Sequence, residues 1–271
     1  MSFPAWRTGR APAIQHGGPA AQVSSVADHY ANLLAPVYTW TAGGSIAALA
    51  QGEADLAGID PGTLAVDLGA GFGMHAIPLA RAGWRVVAVD SAALLLGELA
   101  ALANGLPIAA YCGDILHFPD YLAGSESPEL ILCMGDTLTH LPDEHAVVRL
   151  ARLVAAYLAP QGRFIATFRD YSQLPAGTAR FIPVRADAGR ILTCFLEAGE
   201  EHVLVHDLLH ERGSAGWELK VSAYRKLRLD PAQVRRLFQA AGLTVTLEPG
   251  PRGMVKLVAT RRGTNPVGVV S

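Results

Sequence analysis

The chain has 271 residues, 51% of them hydrophobic and 17% charged, with a formal net charge of −2 at pH 7. That supplies apolar material for one large or two small globular domains. A nearly neutral chain whose basic residues never run beyond short pairs offers no attraction to a nucleic-acid backbone. No window approaches the roughly 20 apolar residues of a membrane span, and the opening MSFPAWRTGRAPAIQHGG has no signal-peptide core. The expectation is a cytoplasmic protein with neither nucleic-acid nor membrane partners. Cys112, Cys133 and Cys194 stand isolated in apolar runs, which argues against a disulfide frame or a C-x-x-C metal site.

Residues 1–22 are rich in Pro, Gly and Ala without an apolar period, and residues 262–271 are similarly uncommitted, so both ends are predicted to be mobile around one domain over 23–261. From Ala27, ADHYANLLAPVYTW predicts a short amphipathic helix broken before Pro36. The runs TLAVDLG, WRVVAVD, IAAYCGD, LILCMGD and RFIATFR lack two-residue alternation and suit strands buried on both faces. Between them MHAIPLARAG, SAALLLGELAALANG and EHAVVRLARLVAAYLAPQG read as helices closed by glycine, with Pro78 predicting a kink or an early 3₁₀ turn. Alternating βα units imply a doubly wound parallel α/β sheet. Residues 180–229 break this rhythm with three long strand-like runs joined at EAGEE and RGSAG, an antiparallel meander. Asp230, Pro231 and Gly242 then bracket a helix, and LTVTLE and MVKLVATR close the chain as strands.

The first strand ends at an acid, Asp67, and runs into Gly69, Gly71 and Gly73. A glycine turn before a helix lets backbone approach a ligand and aims the helix N-terminus at it. The dinucleotide fingerprint would need glycine where Met74 stands. Asp90, 23 residues beyond Asp67, ends the second strand where an acid can accept from both ribose hydroxyls, and Asp114 in CGDI ends the third, placed for an exocyclic adenine amine. Three acids at successive strand ends, with no Arg or Lys for a pyrophosphate, describe a nucleoside of positive or no charge.

In this order VDLGAGFG, VVAVD, YCGDI and LILCMGDTLTHL resemble the motif series of class I S-adenosylmethionine (SAM)-dependent methyltransferases, over residues 64–141. The resemblance implies a Rossmann-like seven-stranded sheet of order 3-2-1-4-5-7-6 with its last strand antiparallel. It implies SAM as cofactor and S-adenosylhomocysteine (SAH) as product. By position, Gly69 and Gly71 would approach the methionine part, Asp90 the ribose, and Asp114 with Ile115 the adenine, while Asp67 would orient the loop or hold the methionine amine. Ala70, Ser91, Gly113, Met134 and Gly135 complete the implied set, and Phe72 stands where smaller residues are common. Tyr30, Tyr38 and Trp40 of the lead-in helix supply aromatic faces suited to closing over a sulfonium, or to core packing.

The acceptor side of such a fold lies beyond strands four and five, here MGDTLTHL and FRDYSQL. CMGDTLTHLPD and FRDYS are similar to stretches of glycine and sarcosine N-methyltransferases, in which the Arg grips a substrate carboxylate, so Arg169 is its counterpart. Asp136 stands where those enzymes carry Asn and suits an amine. The catalytic candidates are Asp136, His140, Arg169 and Tyr171, with His140 read as a core histidine or a proton acceptor. Asp136 and Asp170 resemble the metal acids of catechol-type O-methyltransferases, but Tyr171 stands where those need Asn. His202, His206 and His210 would fall on one strand face about 13 Å apart, too far for one tetrahedral ion, so no metal is expected. The Asn/Asp-Pro-Pro-aromatic signature of nucleic-acid amino methylation is missing. The reading is a SAM-dependent methyltransferase of a small-molecule amine or amino acid, with the meander covering the acceptor pocket or making a homodimer contact. The alternatives are an NAD-linked oxidoreductase and a non-catalytic SAM-binding module.

Overall fold

Local sequence signals set where most elements begin and end. The structure, a computed structural model, describes residues 23–124 and 126–261; the segments read as mobile, 1–22 and 262–271, lie outside the described residues. The chain enters through β1 (Val23–Ser24) and α1 (Val26–His29), which Ser25 caps by accepting the Asp28 N–H at 3.1 Å. A π-turn (Tyr30–Leu34) leads into α2 (Ala35–Thr41). The break expected before Pro36 is instead a widening, in which the Ala35 N–H reaches back to the Tyr30 carbonyl and the proline ring gains room without ending the helix. α3 (Ser45–Asp55) adds to the predicted elements.

The predicted βα alternation follows in order: β2 (Leu64–Leu68), α4 (Ala76–Arg81), β3 (Arg85–Asp90), α5 (Ala93–Ala103), β4 (Ile108–Cys112), β5 (Leu130–Cys133), α6 (Glu144–Tyr157) and β6 (Arg163–Phe168). Pro78 falls in the first turn of α4, where its missing N–H has no helical partner, so the kink expected there is a helix start. An insertion of four strands comes next, β7 (Phe181–Ala186), β8 (Arg190–Ala198), β9 (His202–Gly213) and β10 (Gly216–Leu227). The chain ends with α7 (Pro231–Ala240), β11 (Leu243–Pro249) and β12 (Val255–Arg261). Asp230 caps α7 by accepting the Ala232 N–H at 3.0 Å.

The main sheet has the order β4-β3-β2-β5-β6-β12-β11. Its first five strands are parallel, and β12, last in the chain, runs antiparallel to both neighbours. This is the expected Rossmann-like order. Alternate residues of the central strands serve opposite layers. Val66, Ile131 and Phe164 pack with Leu150 and Val154 of α6 and Phe238 of α7, whereas Ala65, Leu132 and Ile165 pack with Leu79 of α4 and Leu99 of α5.

The inserted strands form a second sheet of order β1-β10-β9-β8-β7, with β1 parallel to β10 and the rest antiparallel. One strand more than the three predicted runs is present. β7 contains Pro183 beside a register shift, which an edge strand tolerates and which hides it from a strand pattern. In β9 the residues Val203, Val205, Asp207 and Leu209 are buried, and His202, His206 and His210 alternate with them on the other face. No single helix among the described residues is long and apolar enough to cross a membrane.

Phe238 and Phe164 are fully buried and stack at 5.1 Å, fastening α7 to the sheet. Phe238→Ala is expected to cost about 3–5 kcal/mol of stability, read as a lowered urea midpoint with an unchanged slope.

Candidate active site

The chain leaves β2 through three left-handed glycines, Gly69 (φ 78°), Gly71 (φ 53°) and Gly73 (φ 93°). At Gly69 a Cβ would also collide with Thr137, so both backbone and space require glycine there. Asp90 fixes the loop from the end of β3. One of its carboxylate oxygens accepts the Gly71 N–H at 2.8 Å and the other the Ala92 N–H at 2.7 Å. Each oxygen keeps a further lone pair, so the carboxylate can still accept two hydroxyls. Asp114 accepts the Leu116 N–H at 2.8 Å through one oxygen and caps a 3₁₀ turn (Ile115–Tyr121).

These groups surround one cavity of about 350 Å³. Tyr30, Gly69, Ala70, Gly71, Asp90, Ser91, Gly113, Asp114, Ile115, Met134 and Gly135 all line it. Asp67, the remaining residue of the implied cofactor set, lies beneath the loop and is almost wholly buried, with one oxygen lacking any hydrogen-bond partner among the described residues. Burial, reinforced by the charge of Asp90, pushes its carboxyl up to about 6 against the opposing pull of His75 and the Ala76 N–H. Tyr38 also lines the cavity, but Trp40 turns away and donates from Nε1 to Asp187 at 2.6 Å. Val26, Ala27, His75 and Thr137 line it without having been singled out in the sequence. Thr137 directly follows Asp136 in a quoted motif and His75 follows the glycine turn, whereas nothing local marks Val26 or Ala27.

Of the four catalytic candidates, His140 lines the cavity; Asp136, Arg169 and Tyr171 do not. His140 ends a 3₁₀ turn (Thr137–His140), its ring edge-on to Tyr30 at 5.7 Å and to Tyr224 at 5.8 Å. Its Nε2 is buried without a partner among the described residues. Burial, and then the charge of Lys226, depress this imidazole to about 3 against the opposing carboxylate of Asp136, so it is neutral.

Asp136, Arg169 and Tyr171 meet around a residue that the sequence did not flag. Asp136 sits in the left-handed region (φ 77°) and accepts the Arg169 N–H at 2.9 Å through Oδ1. Its Oδ2 accepts the Tyr171 hydroxyl at 3.3 Å and the Lys226 ammonium at 2.5 Å. Burial works to raise the Asp136 carboxyl, but the charge and hydrogen bond of Lys226, with the Arg169 N–H, hold it below the ordinary range. Burial likewise works to lower Lys226, and Asp136 holds it well above its usual value. The Arg169 side chain is half exposed, with Nε 3.9 Å from Asp136 Oδ2. Lys226 comes from β10, 90 residues away, where the strand pattern gives it no distinction. Asp170 binds the N–H and hydroxyl of Ser172 at 2.8 and 2.6 Å. Among the described residues, no three His, Cys, Asp or Glu side chains are grouped so as to hold a metal ion.

Residues 65–162 match the family described as Methyltransferase domain. The chain carries a methyltransferase domain. The cofactor that this domain takes is SAM, and the match favours methyl transfer over the dinucleotide alternative. Among solved structures, the CcbJ methyltransferase from Streptomyces caelestis is 19% identical, with 82% of this chain and 98% of that one covered and a TM-score of 0.67. A SAM-bound amino pentose methyltransferase from Micromonospora echinaspora is 17% identical over 83% and 95% of the two chains, with a TM-score of 0.65. A sugar N-methyltransferase from a Streptoalloteichus species is 13% identical over 97% and 99%, with a TM-score of 0.64. At these identities the likeness is one of fold. No curated protein sequence matches the chain.

Two outcomes test this electrostatic arrangement. Lys226→Met strands a buried carboxylate and is expected to cost about 3–5 kcal/mol in urea unfolding at neutral pH, most of it recovered when Asp136→Asn is added. The unfolded His140 imidazole takes up a proton near pH 6.5, whereas the folded one refuses it until about pH 3, so acidification across that window favours the unfolded chain. Nitrogen-15 NMR should accordingly find the His140 ring untitrated between about pH 5 and 8; a midpoint near the ordinary value would contradict its neutral burial.

Proposed function

We propose that this chain transfers the methyl group of SAM to an amine nitrogen of a small molecule. The observation that carries the reading is continuity: one cavity runs from the Asp90 and Asp114 cradle to the neutral ring of His140. Two of the structurally similar proteins support the nitrogen assignment by name, one an amino pentose methyltransferase and one a sugar N-methyltransferase.

When bound, SAM supplies a methyl already activated by its sulfonium, which departs as the sulfur takes back the bonding pair. The protein's task is then to hold a nitrogen lone pair in line with that methyl at about 3–3.5 Å. On the donor side, Asp90 would accept the ribose hydroxyls, Asp114 and Ile115 would hold the adenine edge, and the Gly69–Gly71 backbone would lie against the methionine part. Tyr30 and Tyr38 would turn aromatic faces toward the sulfonium. On the acceptor side Val26, Leu141 and Pro142 give an apolar wall. A base held at about 3 does not strip a proton from an ammonium, so the imidazole would act as a neutral ring in the wall against which the free amine is held. The burial and the nearby Lys226 charge that keep the imidazole neutral also disfavour an ammonium, so the acceptor enters as its free base.

Calorimetric titration should show wild-type protein binding SAM and SAH, with Asp90→Ala weakening both on the order of 10-fold to 100-fold through lost hydroxyl contacts. SAH release, followed against amines, amino sugars, amino acids and their hydroxyl-only analogues, should report turnover of the nitrogen compounds. Turnover confined to the hydroxyl-only analogues would overturn the nitrogen assignment. Tight SAH binding with no turnover of any compound would favour the non-catalytic alternative.

A further inference from the structure

The lead-in helix is fastened to the inserted sheet by a buried histidine outside the cavity lining. His29, fully buried at the end of α1, places Nε2 2.9 Å from Asp207 Oδ2 and Nδ1 2.8 Å from Ser222 Oγ. Asp207 and Ser222 are register partners on β9 and β10, so the ring grips a single rung of the sheet. With both nitrogens engaged, one neutral tautomer satisfies every group: Nε2–H donates to the carboxylate and Nδ1 accepts the serine hydroxyl. Asp207 is itself almost wholly buried, and such a carboxylate needs partners of this kind.

The same ring reaches toward the cavity through aromatic contacts. It stacks on Tyr224 with centroids 4.0 Å apart and meets the edge of Tyr30 at 6.1 Å. Tyr30 and Tyr224 in turn both abut His140. Four rings thus close a circuit in which His29 is the member held from outside by directional hydrogen bonds. Tyr30 follows His29 directly and opens the π-turn, so the orientation of His29 sets where Tyr30 enters the wall. β1 pairs with β10 and Val26 packs beside Tyr224, and between these anchors and the π-turn the hydrogen bonds of His29 set the rotation of its own ring and of the residue that follows.

We infer that His29 is a positioning residue: bound to Asp207 and Ser222, it holds Tyr30 and His140 at the junction of the donor and acceptor ends of the cavity. The inference rests on the methyl-transfer reading, because it assigns Tyr30 to the cofactor wall. SAH is the probe, in calorimetric titrations of wild-type protein, His29→Ala, Tyr30→Ala, the double variant and His29→Gln, with folding followed by circular dichroism. His29→Ala should weaken SAH by about 10-fold, and the double variant should bind no more weakly than Tyr30→Ala alone, because the histidine acts through the tyrosine. His29→Gln, which keeps an N–H for Asp207 and an oxygen for Ser222, should restore affinity to within about 3-fold. If His29→Ala does not fold, Ser222→Ala takes its place, with an expected loss of about 3-fold that vanishes in the Tyr30→Ala background. Wild-type affinity in the folded His29→Ala protein, or losses that simply add to those of Tyr30→Ala, would overturn the inference. Wild-type protein that fails to bind SAH would overturn the methyl-transfer reading itself, whatever the variants do.

Discussion

A single carboxylate, that of Asp90, joins the parts on which the cavity depends. It takes a backbone N–H from the loop after β2 and another from the loop after β3. The two strands are parallel neighbours, so their carboxyl ends open side by side, and without a shared acceptor these donors would be left to water. Once bound, the Gly71 amide cannot swing out, and Gly69 at the start of the turn lies against Thr137, which follows β5 on the other flank of β2. The loop is therefore shaped before any ligand arrives, which lowers the ordering cost of binding.

The end of the cavity at His140 is assembled differently. Its charge centre is the pair of Asp136, on the loop after β5, and Lys226, on the inserted sheet. A buried pair of this kind adds little net stability but fixes geometry, since either charge alone would be costly. It leaves Asp136 without free charge to offer, and His140 as the polar side chain facing the apolar wall. The insertion thus supplies an electrostatic setting, while none of its residues lines the cavity itself. The hydrogen-bonded His29 ties the entering helix to the same sheet, so three distant stretches of chain converge on one end of one cavity.

What was legible in the sequence follows from the range of the forces involved. The buried parallel strands announce themselves as apolar runs because both of their faces are covered, and Asp90 and Asp114 are recognisable because strand ends and glycine turns place them locally. β7 was hidden by Pro183, which an edge strand accepts. The π-turn was hidden because a proline inside a helical pattern ordinarily ends it. Lys226, His29, Asp207 and Ser222 carry no local mark: each is a polar residue in an otherwise ordinary strand or helix, and its role exists only through a partner 90 or more residues away. Asp136, legible as an acid at a strand end, gave no sign of the lysine that neutralises it.

The π-turn at Tyr30 is in effect one surplus residue in a helix that must satisfy two hosts. Leu33, late in the turn, and Val37, beyond it, pack on Leu192 and Leu209 of the inserted sheet, while Ala35 packs with Phe72 and Leu95 beside the glycine loop. Ahead of it, His29 must face the rung of Asp207 and Ser222. A uniform helix advances about 100° per residue and would present only one of these phases correctly. The surplus residue acts as a phase shifter between the two, and a shortened chain would keep its helix while losing the alignment of everything before it.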